Sequence, residues 1–196
     1  MSDPVLHVIA GPNGAGKTTF FEHVLEPVTR LEFVNADVIA AKRWPGDVDA
    51  HAYEAAVIAA AERDRRLEAG RSFVTETVFS HESRVELVED ARARGYLVTL
   101  HVIMIPEDLA VARVANRVDF GGHGVAEDKI RERHRRLWAH VRVAIGAVNE
   151  AHIYDNTKAA TPFVLIATYR NGKLTGTSAP WPKWTPAELQ DPLPHP

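Results

Sequence analysis

Residues 11–18 of this chain read Gly11-Pro12-Asn13-Gly14-Ala15-Gly16-Lys17-Thr18, and they carry the most specific structural signal of the sequence. The run before it, from Val5 to Ala10, is almost continuously apolar, which predicts a buried strand of a parallel sheet. The residues after it carry apolar side chains at three- and four-residue spacing, which predicts a helix that Pro27 closes. A strand before and a helix after are the context that a phosphate-binding loop requires.

The residue types in this loop each have a physical role toward a nucleoside triphosphate. The glycines at positions 11, 14 and 16 allow backbone N–H groups to point at phosphate oxygens, and the N-terminus of the following helix adds positive charge. Lys17 is placed to bridge the β- and γ-phosphates, Thr18 to bind Mg²⁺ through its hydroxyl, and Thr19 to contact the α-phosphate. A glycine turn with an accidental Lys-Thr pair would not explain the flanking strand and helix. The loop therefore predicts binding of ATP and Mg²⁺.

Strand-like and helix-like segments alternate along the rest of the chain, which is the signature of βαβ units. The predicted strands cover residues 31–35, 72–77, 96–105 and 153–154, and the predicted helices cover 49–70, 81–94, 107–118 and 126–150. Residues 119–125 are too glycine-rich to be anything but a loop. Asn171-Gly172 is a hairpin signal between two further strands. The sequence therefore predicts an α/β fold with a mainly parallel sheet and a C-terminal antiparallel edge hairpin.

We expect one domain, residues 1–177, followed by a proline-rich tail, residues 178–196. The six prolines of the tail exclude regular secondary structure, and Trp181 and Trp184 are expected to hold its beginning against the domain. The net charge of −3 argues against nucleic acid as a partner. The lack of cysteine excludes disulfides and thiolate catalysis, and no apolar run reaches the roughly 20 residues of a membrane span. We expect a cytoplasmic protein with no membrane partner.

Two acidic residues stand at the ends of predicted strands, Asp37 after the second and Glu76, with Thr77, at the end of the third. In parallel α/β sheets the carboxyl ends of the strands form the binding crevice. Asp37 could there accept the proton of an attacking hydroxyl, or it could cap the following helix. Glu76 could bind substrate hydroxyls or magnesium-bound waters, or it could pair with a structural arginine. The sequence leaves both choices open.

Arginines are concentrated in the two helices that flank the glycine-rich loop. They are Arg113, Arg117, Arg131, Arg133, Arg135 and Arg136. Arg113 and Arg117 share one helix face, and Arg133 lies nearest to the centre of the apolar stripe of its helix. An arginine directed at the γ-phosphate would offset charge in phosphoryl transfer, and a lid carrying it would exclude water. We assign this role to Arg117 and Arg133 and expect most of the others on a solvated face. We expect His123 to form hydrogen bonds within its loop, and His134 to be a satisfied core residue.

Together the motifs resemble the zeta-toxin-like P-loop kinases, in particular the short stand-alone branch of that family. The resemblance runs from Gly11 to about Asn156. It rests on the phosphate loop, Asn35-Ala36-Asp37, Glu76-Thr77, the run from Arg113 to Val125, and Ile130 to Arg133. The founding members of the family are bacterial toxins that phosphorylate UDP-N-acetylglucosamine.

The resemblance implies a three-layer nucleotide-kinase-like fold with a helical lid, and Mg²⁺-ATP as the phosphate donor. It implies four catalytic residues, Asp37, Lys17, Arg117 and Arg133. Asp37 would be the base toward a sugar hydroxyl, and Glu76 with Thr77 would bind the substrate. The spacing in the lid also allows Arg131 or Arg136 in place of Arg133. An antitoxin partner does not follow from any motif.

The function that we predict is transfer of the γ-phosphate of ATP to a hydroxyl of a small molecule. UDP-N-acetylglucosamine or a related sugar nucleotide is the acceptor that the resemblance suggests. An ABC-type ATPase has a similar loop, but its acidic pair would end the fourth strand, where Ile105-Pro106-Glu107-Asp108 has an intervening proline. An ATPase or ATP-binding regulator without an acceptor, and a nucleoside, polynucleotide or antibiotic kinase, stay open as alternatives.

Overall fold

The apolar runs of the sequence form the strands of one mixed sheet in the computed structural model, which describes residues 3–119 and 124–190. Within these residues the seven strands are β1 Val5–Ala10, β2 Phe33–Val34, β3 Phe73–Thr77, β4 Leu97–Met104, β5 Glu150–Asp155, β6 Val164–Arg170 and β7 Lys173–Thr177. Their order in the sheet is β2-β3-β1-β4-β5-β6-β7. The pairings among β1 to β5 are parallel, and β6 and β7 are antiparallel to their neighbours. The predicted α/β class, with a mainly parallel sheet and an edge hairpin, is confirmed.

Helices connect these strands. They are α1 Lys17–Phe20, a π-helical turn Phe21–Leu25, α2 Glu26–Thr29, α3 Ala36–Arg43, α4 Ala52–Glu68, α5 Ser83–Ala93, α6 Glu107–Asp119, α7 Glu127–Ala147 and α8 Ala187–Gln190. Over the two described ranges, no helix is both long and apolar enough to cross a bilayer.

The helix after the phosphate loop continues past Pro27, where the sequence predicted its end. α1 widens into the π-helical turn and then continues as α2, and Pro27 lies in the first turn of α2. Proline is tolerated there because the first N–H groups of a helix need no intrahelical acceptor. The helical run ends instead at Arg30, which has a left-handed φ of 53°.

Helices cover both faces of the sheet and so produce three layers. On β1, Leu6 and Val8 belong to a core shared with α4, α5 and α7. Ile9, which points to the opposite face, belongs to a second core shared with α1 and α6. Because both faces of the central strands are buried, β1 and β4 are apolar along most of their length rather than at alternate positions.

The register of the parallel strands brings the predicted site residues to one edge. Ala10, the last residue of β1, lies opposite Thr77, the last residue of β3. Val34 at the end of β2 lies opposite Thr75. The phosphate loop, the segment that contains Asp37, and Glu76 therefore leave the sheet at the same carboxyl edge.

The C-terminal hairpin has the predicted turn. Asn171 and Gly172 have φ angles of 47° and 73°, and a type I′ turn requires two consecutive residues with positive φ. The twist of this turn matches that of the strands it joins.

The beginning of the proline-rich tail packs against the domain, as predicted for Trp181 and Trp184. The prediction that the tail lacks regular secondary structure is wrong for Ala187–Gln190, which form α8. Pro186 precedes this short helix without interrupting it, since the start of a helix accepts proline. Arg142 on α7 donates a hydrogen bond of 2.6 Å to the Glu188 carbonyl. The division into a domain, 1–177, and a tail, 178–196, stays a prediction.

Three histidines cluster on the central strands β1, β4 and β5. His7 Nδ1 lies 3.0 Å from His101 Nε2, and the His152 ring packs edge-on to His101 at a centroid distance of 5.5 Å. His101 is buried, and its Nδ1 has no hydrogen-bond partner in the part of the chain described. Burial, and then the charges of His7 and His152, hold the pKa of His101 well below its usual value. Burial also lowers the pKa of His7 and of His152.

This cluster predicts a loss of stability in mild acid. A histidine in the unfolded chain titrates near pH 6.5, whereas His101 in the folded protein stays neutral to a lower pH. The unfolded state therefore binds more protons below about pH 6.5, and the free energy of unfolding falls as the pH decreases. Each histidine that stays neutral accounts for about 1 kcal/mol between pH 7.5 and 5.5. Urea denaturation at both pH values measures the effect.

The matched comparison is His101→Leu, which removes the most deeply buried ring of the cluster. Every other titratable group is present in both proteins, so the difference between the two pH dependences reports the contribution of His101 and of its contacts with His7 and His152. We expect the variant to lose less stability than the parent between pH 7.5 and 5.5. Identical pH dependences would contradict the prediction.

Candidate active site

The carboxyl edge of the sheet opens into a cavity of about 840 Å³. The phosphate loop forms one side, the ends of β2 and β3 with α4 and α5 form another, and α6 with the start of α7 completes the wall. A volume of this size matches that of small-molecule sites in proteins. The predicted loop, acidic residues and lid arginines therefore meet at one cavity.

The glycines of the phosphate loop are required by its shape. Gly14 and Gly16 have φ angles of 73° and 87°, which residues with a Cβ rarely adopt. A Cβ on Gly16 would lie 2.8 Å from the side-chain nitrogen of Asn156. The loop is closed by a hydrogen bond of 3.2 Å from the Ala15 N–H to the Pro12 carbonyl.

Two residues that the sequence analysis did not place at the loop hold it in position. The Asn156 side chain, buried just after β5, donates a hydrogen bond of 2.8 Å to the Ala15 carbonyl. Arg113 on α6 donates to the Asn156 carbonyl at 2.9 Å and to the Gly14 carbonyl at 3.4 Å. Arg113 thus supports the loop from behind. A signal for Asn156 was present, since it is a polar residue directly after an apolar strand.

Lys17 is buried and lies across the mouth of the loop. Its Nζ donates hydrogen bonds of 3.1 Å to the carbonyls of Gly11 and Pro12. Burial lowers the pKa of Lys17, the charges of Glu76 and Asp37 oppose this shift, and the charge of Arg117 adds to it. A phosphate would offer this ammonium a stronger partner than two neutral carbonyls.

Thr18 and Glu76 meet beside the loop. The Thr18 hydroxyl donates a hydrogen bond of 3.0 Å to Glu76 Oε2. Burial raises the pKa of Glu76, while the charge of Lys17 and this hydrogen bond oppose the rise. The hydrogen-bond partners of Glu76 among the described residues are thus Thr18 and Asn35 and not an arginine, the alternative left open by the sequence.

The oxygen atoms here fit Mg²⁺. A hydroxyl and a carboxylate lie side by side at Thr18 and Glu76, and Asp37 lines the same cavity. Residues 3–119 and 124–190 hold no group of three or more His, Cys, Asp or Glu that could bind a metal by themselves. Mg²⁺ bound with a nucleotide needs no such group, because water and phosphate oxygens supply most of its ligands.

Asp37 is not the cap of the helix in which it lies. The N-cap of α3 is Asn35, whose Oδ1 accepts a hydrogen bond of 3.1 Å from the Val38 N–H. Asp37 lies in the first turn of α3 and lines the cavity with its side chain exposed. Its charge acts on the pKa of both Lys17 and Glu76. The structure therefore separates the two roles that the sequence left open and gives the cap to Asn35.

The chain leaves β3 through a strained turn. Thr77 lines the cavity, and its hydroxyl accepts a hydrogen bond of 3.2 Å from the Phe79 N–H. Phe79 is fully buried and has a φ of 65°, an unusual conformation for a bulky residue. Backbone strain of this kind persists only where the surrounding structure enforces it, and it is frequent at functional sites.

Among the predicted lid arginines, Arg117 and Arg133 line the cavity, together with Lys129, which the sequence analysis had not singled out. Arg131 instead forms salt bridges with Glu107, Asp108 and Glu127. Arg135 and Arg136 pair with Glu107 and Glu132. The competing arginines are thus held by carboxylates away from the cavity, and the structure places Arg133 on its wall.

The two histidine predictions have different outcomes. His134 is buried, its Nε2 lies 3.0 Å from the Ile105 carbonyl, and its Nδ1 lies 3.5 Å from the indole nitrogen of Trp138. Its assignment as a satisfied core residue is confirmed. His123 lies outside the described residues.

Two further arginines, which were not among the residues predicted from the sequence, also line the cavity. Arg63 lies on α4 and Arg84 on α5, the helices that precede and follow β3. The sequence does contain a pattern that places Arg63 on one helix face with three alanines. Ala52, Ala56, Ala59 and Arg63 are spaced by three or four residues, and all four line the cavity.

Comparisons with known proteins agree with this fold. A search among curated proteins finds no match. Among solved structures, a chain of the PezAT chromosomal toxin–antitoxin system of Streptococcus pneumoniae is 14% identical, with a TM-score of 0.63 over 97% of this chain and 84% of that one. A candidate kinase from Chloroflexus aurantiacus is 18% identical, with a TM-score of 0.53 over 69% of this chain and 79% of that one.

A chain of the AvrRxo1-ORF1:AvrRxo1-ORF2 complex with ATP is 15% identical, with a TM-score of 0.65 over 90% of this chain. The alignment spans only 61% of that longer chain. At identities this low the three structures show a common fold and nothing finer. The sequence itself matches the AAA domain family over residues 6–144. Because this match covers well over half of the chain, the protein belongs to the AAA domain family and has its P-loop fold.

Proposed function

We propose that this protein is an ATP-dependent kinase that transfers the γ-phosphate to a hydroxyl of a small molecule. The observation that carries the proposal is the composition of one cavity. Its walls combine a phosphate loop, carboxylates at Asp37 and Glu76, and cationic side chains on α6 and α7. An enzyme that only hydrolyses ATP can use the same groups, but it needs no space for an acceptor beyond the γ-phosphate.

The donor side would bind Mg²⁺-ATP. Lys17 would exchange its two carbonyl partners for β- and γ-phosphate oxygens, and the Thr18 hydroxyl would turn from Glu76 to the metal. Mg²⁺, when bound, would neutralise part of the phosphate charge and orient the triphosphate. Asn13 Oδ1 is buried and has no partner in the described part of the chain, so a bound ligand or its water shell would satisfy it.

The transfer itself requires a base for the acceptor. The acceptor hydroxyl oxygen attacks the γ-phosphorus while the bond to the β–γ bridging oxygen breaks, and ADP leaves with that oxygen. Asp37 would accept the hydroxyl proton, since it lines the cavity and does not serve as the helix cap. Glu76 and Thr77, at the end of β3, would orient the acceptor.

Arg117 and Arg133 would stabilise the charge that develops on the transferred phosphoryl group. Both project into the cavity from the helices that flank the glycine-rich segment. Movement of these helices toward the phosphate loop would bring the guanidinium groups closer and exclude water. Water exclusion favours transfer to the acceptor over hydrolysis.

The resemblance to zeta-toxin-like kinases suggests a sugar nucleotide, with UDP-N-acetylglucosamine as the first candidate acceptor. The similarity to a chain of the PezAT toxin–antitoxin system supports including this compound, and it also supports a search for an antitoxin partner. The ATP in the AvrRxo1 complex supports ATP as the donor.

The test is an acceptor panel. The full chain is incubated with Mg²⁺ and γ-labelled ATP in the presence of sugar nucleotides, nucleosides, hydroxy acids or aminoglycosides, and products are identified by mass spectrometry. We expect one class to become phosphorylated at a hydroxyl. Release of inorganic phosphate at the same rate with every compound would instead indicate an ATPase. Tight ATP binding without turnover would indicate a nucleotide-binding regulator.

A further inference from the structure

The acceptor side of the cavity is cationic. Arg63 on α4 and Arg84 on α5 line it beside Glu76 and Thr77, and both arginines are partly buried. They come from α4 and α5, the helices before and after β3, whereas the lid arginines come from α6 and α7. We therefore group Arg63 and Arg84 with Glu76 and Thr77 of β3, which the proposed function assigns to the acceptor.

Neither guanidinium is neutralised by a carboxylate. In the described ranges neither the Arg63 nor the Arg84 side chain has a hydrogen bond or salt bridge to another residue. The neighbours of Arg63 on the same helix differ, since Arg65 pairs with Glu62, and Arg66 with both Glu62 and Glu32. Arg63 is thus an exception on a helix whose other two arginines are paired.

Leaving these charges unpaired has an electrostatic cost. Burial, and then the nearby charge of Arg84, lower the pKa of Arg63 to about 10, although Asp64 opposes the shift. Burial also lowers the pKa of Arg84. Two like charges in a partly desolvated wall destabilise the ligand-free protein, and an anion between them would relieve the repulsion.

The same wall has space for a ligand. Ala52, Ala56 and Ala59 present small side chains to the cavity on the face of α4 that ends in Arg63. Seven cationic and two acidic side chains line the cavity in total. The cavity therefore carries an excess of positive charge. Mg²⁺-ATP would neutralise only the part of this positive charge that faces the phosphate loop, so positive charge would remain on the acceptor side.

We propose that Arg63 and Arg84 together bind an anionic group of the acceptor, a phosphate or a carboxylate, and so hold its hydroxyl toward Asp37. This inference rests on the proposed kinase function and narrows the acceptor to an anionic small molecule. The planar guanidinium groups suit it, because each can donate two parallel hydrogen bonds to an oxyanion. Neutral sugars and cationic aminoglycosides would not satisfy this wall.

Anion binding can be measured without knowing the acceptor. The phosphate loop of the full chain is saturated with Mg²⁺ and a non-hydrolysable ATP analogue, which fills the γ-phosphate position. Inorganic phosphate and acetate are then titrated separately by calorimetry. We expect one further anion to bind per chain. Whichever of phosphate and acetate binds with the higher affinity shows whether the acceptor group is a phosphate or a carboxylate.

Matched variants locate this anion. We expect Arg63→Gln and Arg84→Gln to weaken its binding about ten- to hundredfold, the loss that follows removal of a charged hydrogen-bond donor. Arg65→Gln removes the same charge from the exposed side of α4 and should leave the affinity unchanged. Absence of a further anion in the parent protein, or equal affinities in all three variants, would overturn the proposal.

Thermal unfolding of the ligand-free protein separates binding from structural support. Because each arginine is unpaired beside a like charge, Arg63→Gln and Arg84→Gln should keep or raise the melting temperature. A clear loss of stability with unchanged anion affinity would show that the arginines are structural. Should Arg63→Gln fail to fold, Arg63→Lys keeps the charge and should still bind phosphate more weakly than the parent.

The titration involves no turnover, so its outcome is independent of the kinase assay. Anion binding that depends on Arg63 and Arg84, combined with an acceptor panel that yields no phosphorylated product, would reject the proposed function alone. Phosphorylation of a neutral acceptor by the parent protein would reject the anionic acceptor and leave the kinase intact.

Discussion

Replacement of Lys17 by Ala is expected to lower nucleotide turnover about a thousandfold or more while the fold survives. Lys17 is the ammonium group enclosed by the phosphate loop, where it bonds two loop carbonyls. Its charge would stabilise negative charge on the β- and γ-phosphates as the bond between them breaks. No other cation lies within the loop itself, Gly11 to Thr18, to replace it. Release of labelled phosphate or ADP measures the effect.

The fold is expected to survive because the folded protein gains little from this charge. Burial lowers the pKa of Lys17, which means that the surroundings disfavour its ammonium form. Lys17→Met, which keeps most of the side-chain volume, is the companion variant. Lys173→Ala, on the exposed strand β7, is the matched control and should retain full turnover. Turnover of Lys17→Ala at the parental rate would remove the basis for assigning residues 11–18 to phosphate binding.

The central part of the fold was predictable because two independent patterns agree there. The apolar run of β1 predicts the strand, and the glycine spacing of the loop requires a strand before it and a helix after it. The edge hairpin was predictable for the same reason, since Asn171-Gly172 has few conformations that could join two strands. Segments of this kind are determined by local chemistry alone.

The site was less predictable where neighbouring residues could exchange roles. Asn35 and Asp37 are both good caps, and only the backbone shows that Asn35 accepts the hydrogen bond from Val38. In the lid, Arg131, Arg133 and Arg136 differ mainly in which carboxylates are near them. Those carboxylates include Glu107 on a different helix, so the choice depends on how α6 and α7 pack.

The acceptor side was missed because its residues are distant in sequence. Arg63 and Arg84 lie on different helices on either side of β3, and each lies in a helix with other arginines. Helical periodicity can show that Arg63 continues an alanine face, but it cannot show that this face borders a cavity. Asn156 is a similar case, because its contact with Ala15 spans 141 positions of the chain.

The second large effect is expected for Asp37→Asn, which should reduce phosphoryl transfer to the acceptor by about two to four orders of magnitude while ATP binding persists. The amide keeps the size of the carboxylate but cannot accept the proton of the attacking hydroxyl. The substitution leaves the cap of α3 in place, because Asn35 supplies it. Loss of a charge from the first turn of the helix should cost only about 0.3–1 kcal/mol of stability.

The control for the loss of a negative charge near a helix N-terminus is Glu86→Gln. This substitution removes an exposed acidic residue from the first turn of α5. It should show the same small change in stability with unchanged transfer. ATP affinity and phosphorylated product are measured separately for both variants, with the acceptor found in the panel. If Asp37→Asn transferred phosphate at the rate of Glu86→Gln, Asp37 would not be the base. The proton would then have to leave through Glu76, the other carboxylate on the cavity wall, and Glu76→Gln would become the variant that stops the reaction.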